Sequence, residues 1–175
     1  LLGPLCPVPV PFPPELLVPM NLSLKEISDP ADCEALAPLA QRLVERSCEE
    51  LRNDPAPEDC GLKLLQRVLQ SPTGVILQTV GPDGETVGLI VTGPLIDPLV
   101  GDETPMVLLL WTADAFRRRG MSKGMIQSAA EILAGRGLHS LAARAEHNDD
   151  ALISMGERSG FIRLYEVLLR EGPGR

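Results

Sequence analysis

The sequence predicts one α/β domain in which a mixed central sheet carries helices on both faces, in the element order β-α-α-β-β-β-α-β-α-β. Three observations lead there. Two β-rich runs, Gly74 to Val80 and Thr86 to Thr92, are joined by Gly81-Pro82-Asp83-Gly84-Glu85, an antiparallel hairpin signature with Asp-Gly at the turn. Met106 to Trp111 is a continuous apolar run without alternation, which predicts a central strand covered on both faces. Met121, Met125, Ile126, Ala129, Ala130 and Leu133 then recur at helical spacing, directly after a basic turn that contains a glycine.

The elements run in order from the N-terminus. Residues 1–19 are apolar and broken by proline after proline, which favours an extended, polyproline-like arm outside the domain. The domain is expected over 20–171, with a tail at 172–175. Asn21 to Ser28 alternates weakly as a strand. Asp29-Pro30 then supplies an N-cap and a first-turn proline for a helix through Leu36, Leu39, Ala40, Leu43 and Val44, in which Pro38 predicts a kink or a late start. After a break at Asn53 to Pro57, Glu58 to Gln70 reads as a second helix with Leu62, Leu65, Val68 and Leu69 on one face. Gly93 to Pro105 is expected as a loop. Gly135 and Gly137 stop the helix after the basic turn, and Leu138 to Ala145 reads as a fifth strand. Asn148 or Asp149 caps a further helix ending at Gly160, and Phe161 to Leu169 alternates as a final strand.

Composition narrows the function classes. The 175 residues are 44% apolar and 23% charged, an ordinary soluble balance for one domain. A net charge of -8 disfavours nucleic acid and mildly favours a cationic partner, and 3% aromatic content leaves few stacking platforms. Cys6, Cys33, Cys48 and Cys60 show no metal-ligand spacing, and only His139 and His147 could complete a zinc site, so no metal is expected. Scattered thiols and the lack of a basic, uninterrupted apolar leader favour the cytoplasm and no membrane partner.

The chain is organised around Trp111 to Leu133. There an apolar strand meets Arg117-Arg118-Arg119-Gly120 and turns directly into an amphipathic helix. A helix start offers unpaired N–H groups and the positive end of its dipole, Gly120 lets the backbone approach a ligand, and the arginines add fixed charge. This is the layout of an anion cradle. Gly-x-x-x-x-Gly-Lys-Ser/Thr is absent, which removes the commonest nucleotide-phosphate alternative.

The element order and this loop together resemble the GNAT superfamily of acyl-CoA-dependent N-acetyltransferases, over residues 21–170. Its signature is Arg or Gln, two residues, Gly, one residue, then Gly or Ala, opening a helix. Arg117 and Gly120 match, and Ser122 departs. A second likeness runs from Asn148 to Gly160-Phe161, where Gly156 takes the usual tyrosine position and Asp149 competes with Asn148 for the asparagine position. The resemblance implies a GNAT-like, mostly antiparallel sheet and acetyl-CoA as acyl donor. It implies that backbone near Leu110, Trp111 and Thr112 holds the pantetheine, that Arg117, Arg118, Arg119, Gly120, Met121, Ser122 and Lys123 bind the pyrophosphate, and that Asn148 assists. Trp111, Met121 and Met125 also read as packing residues.

The chemistry implied by the resemblance is direct attack of a neutral amine on the thioester. A thiol ionises near pH ~8.5 and a lysine-like amine near ~10.4, so the leaving group needs help less than the attacking ammonium does. No acidic residue lies within the fourth strand, and Glu146 and His147 at the end of the fifth are the candidate bases, each with a plain structural reading as a solvated or capping residue. Two functions therefore stand: an N-acetyltransferase acting on a primary amine of a small molecule or peptide, or a non-catalytic acyl-CoA-binding or interaction module of the same fold. A homodimer is compatible with either.

Overall fold

Among the described residues, five strands form one sheet in sequential order: β1 (Ser23–Glu26), β2 (Val75–Val80), β3 (Thr86–Ile96), β4 (Glu103–Thr112) and β5 (Ala142–Ala143). Pairing is antiparallel from β1 through β4 and parallel between β4 and β5. The helices are α1 (Pro30–Arg52), α2 (Cys60–Leu69), α3 (Met121–Gly135) and α4 (Asp150–Arg158). This computed structural model describes residues 22–52, 55–96, 101–144, 150–158 and 160–162. The arm at 1–19, Glu146, His147, Asn148, most of the expected last strand and the tail lie outside the described residues. The chain divides into two units, Leu1–Arg144 and Ala145–Arg175, and α4 belongs to the second.

Local chemistry sets the helix ends. Asp29 accepts from the Ala31 N–H at 2.8 Å, the capping bond expected of Asp-Pro at a helix start. α1 then runs through Pro38 without the expected late start. Pro38 is exposed, so the Glu34 carbonyl that it leaves without a helical donor faces water. Asp59 at the start of α2 is left-handed and makes no side-chain cap. Gln41 of α1 takes over, its Oε1 accepting from Gly61 N at 2.9 Å and from the Cys60 thiol at 3.3 Å. α3 closes with Leu138 N donating to Leu133 O and Gly137 N to Ala134 O, both at 2.9 Å, around a left-handed Gly137.

Alternation along the strands divides the core. Ile76, Leu89, Val91 and Leu109 face α1 and α2, where they meet Cys33, Leu36, Ala40, Leu65 and Val68. The intervening residues face α3: a Cβ added to Gly88 would come within 2.9 Å of the Met121 sulfur and 3.0 Å of the Met125 sulfur. Helices thus cover both faces, as expected.

Several expectations are corrected. β3 and β4 extend into the supposed loop, with Pro94 opposite Pro105, so the missing N–H donors are confined to one register position. β1 and α2 are shorter than read, and among the described residues β5 pairs at Ala142 and Ala143 only, with the polar His139, Ser140 and Arg144 around it exposed. β4 is not covered throughout: Met106, Val107, Leu108, Leu110 and Trp111 are half-buried. Its pairing with β3 slips between Val91 and Thr92, whose partners are Leu109 and Val107, so Leu108 is the extra residue of a β-bulge.

The α1–α2 contact leaves no room at Gly61, where a Cβ would lie 2.3 Å from the Gln41 nitrogen, whereas Gly135 has nothing within 4 Å. Gly61→Ala should lower unfolding free energy by about 1–3 kcal/mol. Gly135→Ala, in an exposed helical position, should raise it by about 0.5–1 kcal/mol. Urea unfolding of both variants provides the comparison.

Candidate functional site

Among the described residues, β5 meets β4 only at Met106 and Val107. Ala113 N donates to Val87 O at 2.8 Å, so alternation turns the backbone groups of Leu109 and Trp111 toward β3 and those of Leu110 and Thr112 away from it. These are the residues that the family resemblance assigns to pantetheine. Leu110 and Trp111 are half-buried and Thr112 is buried. Trp111 packs against the α1–α2 core.

The chain leaves β4 through a short 3-10 turn, Asp114–Phe116, and reaches α3 at Gly120. Gly120 has φ 80°, a left-handed conformation that a side chain disfavours, and nothing stands within 4 Å of an added Cβ. Its role is conformational, and its surroundings are open. As the residue preceding α3 it has no side-chain oxygen and makes no side-chain cap bond to the first turn of the helix. Arg118 is also left-handed, at φ 60°. Arg117, Arg118 and Arg119 are exposed, while Met121 is buried beneath the helix and Ser122 and Lys123 are half-buried.

Arg117 is engaged within the protein. Its Nε donates to the Thr112 carbonyl at 3.3 Å, and its Nη2 pairs with Asp114 at 3.0 Å. Asp114 is a member of this cluster that the motif did not supply; its signal was the three-residue spacing to Arg117. The Ser122 hydroxyl lies 3.0 Å from that of Thr112, which joins the first turn of α3 to the end of β4. The structure thus brings Leu110, Trp111, Thr112 and the segment from Arg117 to Lys123 into one continuous strand–turn–helix unit.

In the second unit, α4 ends as α3 does: Phe161 N donates to Gly156 O at 3.1 Å around Gly160 at φ 89°. A Cβ at Gly156 would meet only the Phe161 Cβ, at 3.8 Å, an ordinary contact. Crowding at Cβ therefore does not enforce glycine where the resemblance places tyrosine. Elsewhere, Cys33 is fully buried in the α1–α2 core, and burial with the neighbouring Asp32 and Asp29 pushes its thiol up from its ordinary value. Among the described residues, no three His, Cys, Asp or Glu side chains converge as a metal site.

Residues 39–161 match the model of the Acetyltransferase (GNAT) family. The chain belongs to that family. No curated protein sequence matches it. Solved structures share the fold at low identity, consistent with the GNAT order of elements seen here. The aminoglycoside antibiotic 6'-N-acetyltransferase AAC(6')-Ih from Acinetobacter baumannii is 16% identical, with a TM-score of 0.62 over 88% of this chain and 100% of that one. AAC(6')-Iy, solved with the bisubstrate analog CoA-S-monomethyl-acetylneamine, is 15% identical, with a TM-score of 0.65 over 88% of this chain and 99% of its own. The aminoglycoside acetyltransferase HMB0005, from an uncultured soil metagenomic sample, is 22% identical, with a TM-score of 0.62 over 89% and 100% of the two chains.

The left-handed glycine ahead of α3 makes a stability prediction independent of ligand. Gly120→Ala should cost roughly 1–2 kcal/mol, and Gly120→Asn should cost less because asparagine tolerates that conformation. Chemical denaturation of the two variants reads the difference.

Proposed function

We propose that this GNAT chain transfers an acetyl group from acetyl-CoA to a primary amine of a small molecule or peptide. The observation that carries the reading is the strand–turn–helix unit, with the backbone of Leu110 and Thr112 turned away from β3 and a helix start behind the left-handed Gly120 one short turn away. These features fit the donor's two ends. Strand backbone suits the amide-bearing pantetheine arm, and helix N–H groups with nearby arginines suit the diphosphate. When bound, acetyl-CoA supplies a thioester carbonyl open to attack by a neutral amine. The protein's part is to hold that carbonyl against the backbone of β4, to keep the diphosphate over Gly120, Met121 and Ser122, and to bring the amine in uncharged.

Proton handling falls to residues near the end of β5. Glu146 and His147 are the proposed bases, with Asn148 as a further donor contact. Gly156 offers no acid for the departing thiolate, but a thiol ionising near pH ~8.5 leaves without one far more readily than an alcohol would. The net charge of -8 favours a cationic acceptor, and the structural neighbours are enzymes of amine-rich aminoglycosides, which makes those compounds the first acceptors to try. The absent tyrosine also favours a second reading, a module of the same fold that binds acyl-CoA without turnover.

Calorimetry with acetyl-CoA and a thiol-release assay over aminoglycosides, polyamines and N-terminal peptides separate the two readings. Transfer predicts both binding and amine-dependent thiol release. Binding without release across the panel selects the module, and no binding defeats both. In an active protein, loss of the base by Glu146→Gln or His147→Gln should slow turnover by about a hundredfold or more. Unchanged turnover in both variants would assign deprotonation to water.

A further inference from the structure

We infer that Thr112 is the anchor of the diphosphate cradle and that Arg117 is a positioning residue, which sets the loop through its Nε–H instead of meeting the diphosphate with its charge. This rests on the acetyl-CoA reading above and assigns parts within that site. Thr112 is 7% exposed and is held from two directions. Arg117 Nε donates to its carbonyl at 3.3 Å, and Ser122 Oγ lies 3.0 Å from its hydroxyl. The first bond ties the turn to the strand. The second ties the helix to it.

One edge of the guanidinium is already engaged. Nε serves Thr112 and Nη2 serves Asp114 at 3.0 Å, so a phosphate oxygen approaching that edge would have to displace a carboxylate and a carbonyl together. The Thr112 carbonyl belongs to the side of β4 that faces away from β3, where no described β5 residue pairs with it. Arg117 therefore satisfies a strand carbonyl on that side, and in doing so fixes where the chain turns toward Gly120. Ser122 stands where the family signature has glycine or alanine, neither of which can make a side-chain hydrogen bond. In this chain the added hydroxyl pins the first turn of α3 to the strand end before any ligand arrives, which lowers the ordering cost of binding.

Five variants test the assignment: Thr112→Val, Ser122→Ala, their combination, Arg117→Gln and Arg117→Lys. Each is titrated by calorimetry with coenzyme A and with S-acetylpantetheine, which lacks the diphosphate. Ser122→Ala, although it restores a residue type of the signature, should weaken coenzyme A binding about three- to tenfold, and Thr112→Val should do the same. The combined variant should lose little more than either single one, because both remove the same bond. The loss should be absent with S-acetylpantetheine. Arg117→Gln places an amide nitrogen the same number of bonds from Cα as the arginine Nε, so it should keep more affinity than Arg117→Lys, which keeps only the charge. Wild-type affinity in Ser122→Ala, additive losses in the combined variant, or a lysine better than the glutamine would each overturn the assignment while leaving acetyl-CoA binding intact. Failure of the unmutated chain to bind coenzyme A would instead overturn the functional reading, and the anchor with it.

Discussion

One extra residue in β4 shapes the rest of the molecule. Because Leu108 has no partner opposite it in β3, the ladder shifts between Val107 and Leu109. A bulge turns two consecutive side chains to the same face, and Leu108 and Leu109 both pack on the α1–α2 side. It also bends the strand and increases its twist. β5 accompanies β4 as far as Met106 and Val107, the two residues immediately before the bulge, and no described residue of β5 pairs with β4 beyond it. The core on the α1–α2 side absorbs the extra leucine of this local register defect.

The turn after β4 shows geometry and charge divided between neighbouring residues. Two left-handed residues, Arg118 and Gly120, reverse the chain sharply enough for α3 to start beside the strand that precedes it. Such conformations persist where surrounding bonds hold them, and here the bonds to Thr112 and Asp114 do so. A run of three arginines therefore does not mean three equivalent anion ligands. Arg117 is built into the turn, while the start of α3 supplies directional N–H donors whose number does not depend on side-chain charge.

Much of the fold is legible in the sequence because its signals are local. Asp29-Pro30 starts a helix by capping chemistry, Gly137 ends one by its left-handed conformation, and Asp83-Gly84 turns a hairpin, each without help from distant residues. The departures are non-local. Pro38 has the character of a helix breaker, and only its exposure shows that the lost acceptor meets water. Pro94 and Pro105 have the character of loop residues because their pairing with each other is invisible in one strand alone. The unalternating run from Met106 to Trp111 carries two explanations, burial on both faces or a change of face within the strand, and composition does not choose between them. At the site, the arginine–glycine loop and strand end are legible as a unit, whereas the commitment of Arg117 to Asp114 and of Ser122 to Thr112 depends on how the turn closes.

Under the proposed acetyl transfer, the charge distribution sets the terms for the amine. A net charge of -8 concentrates cationic acceptors near the surface, but the same field favours the ammonium form and so opposes the deprotonation that attack requires. Screening limits the reach of that field to about 8 Å at physiological ionic strength, so the balance at the reacting nitrogen is decided by groups close to it. The arginine loop cannot tip that balance once a diphosphate has neutralised it. Capture and activation are then separate problems: the overall acidity serves the first, and the second needs a group or an ordered water within hydrogen-bond reach of the amine.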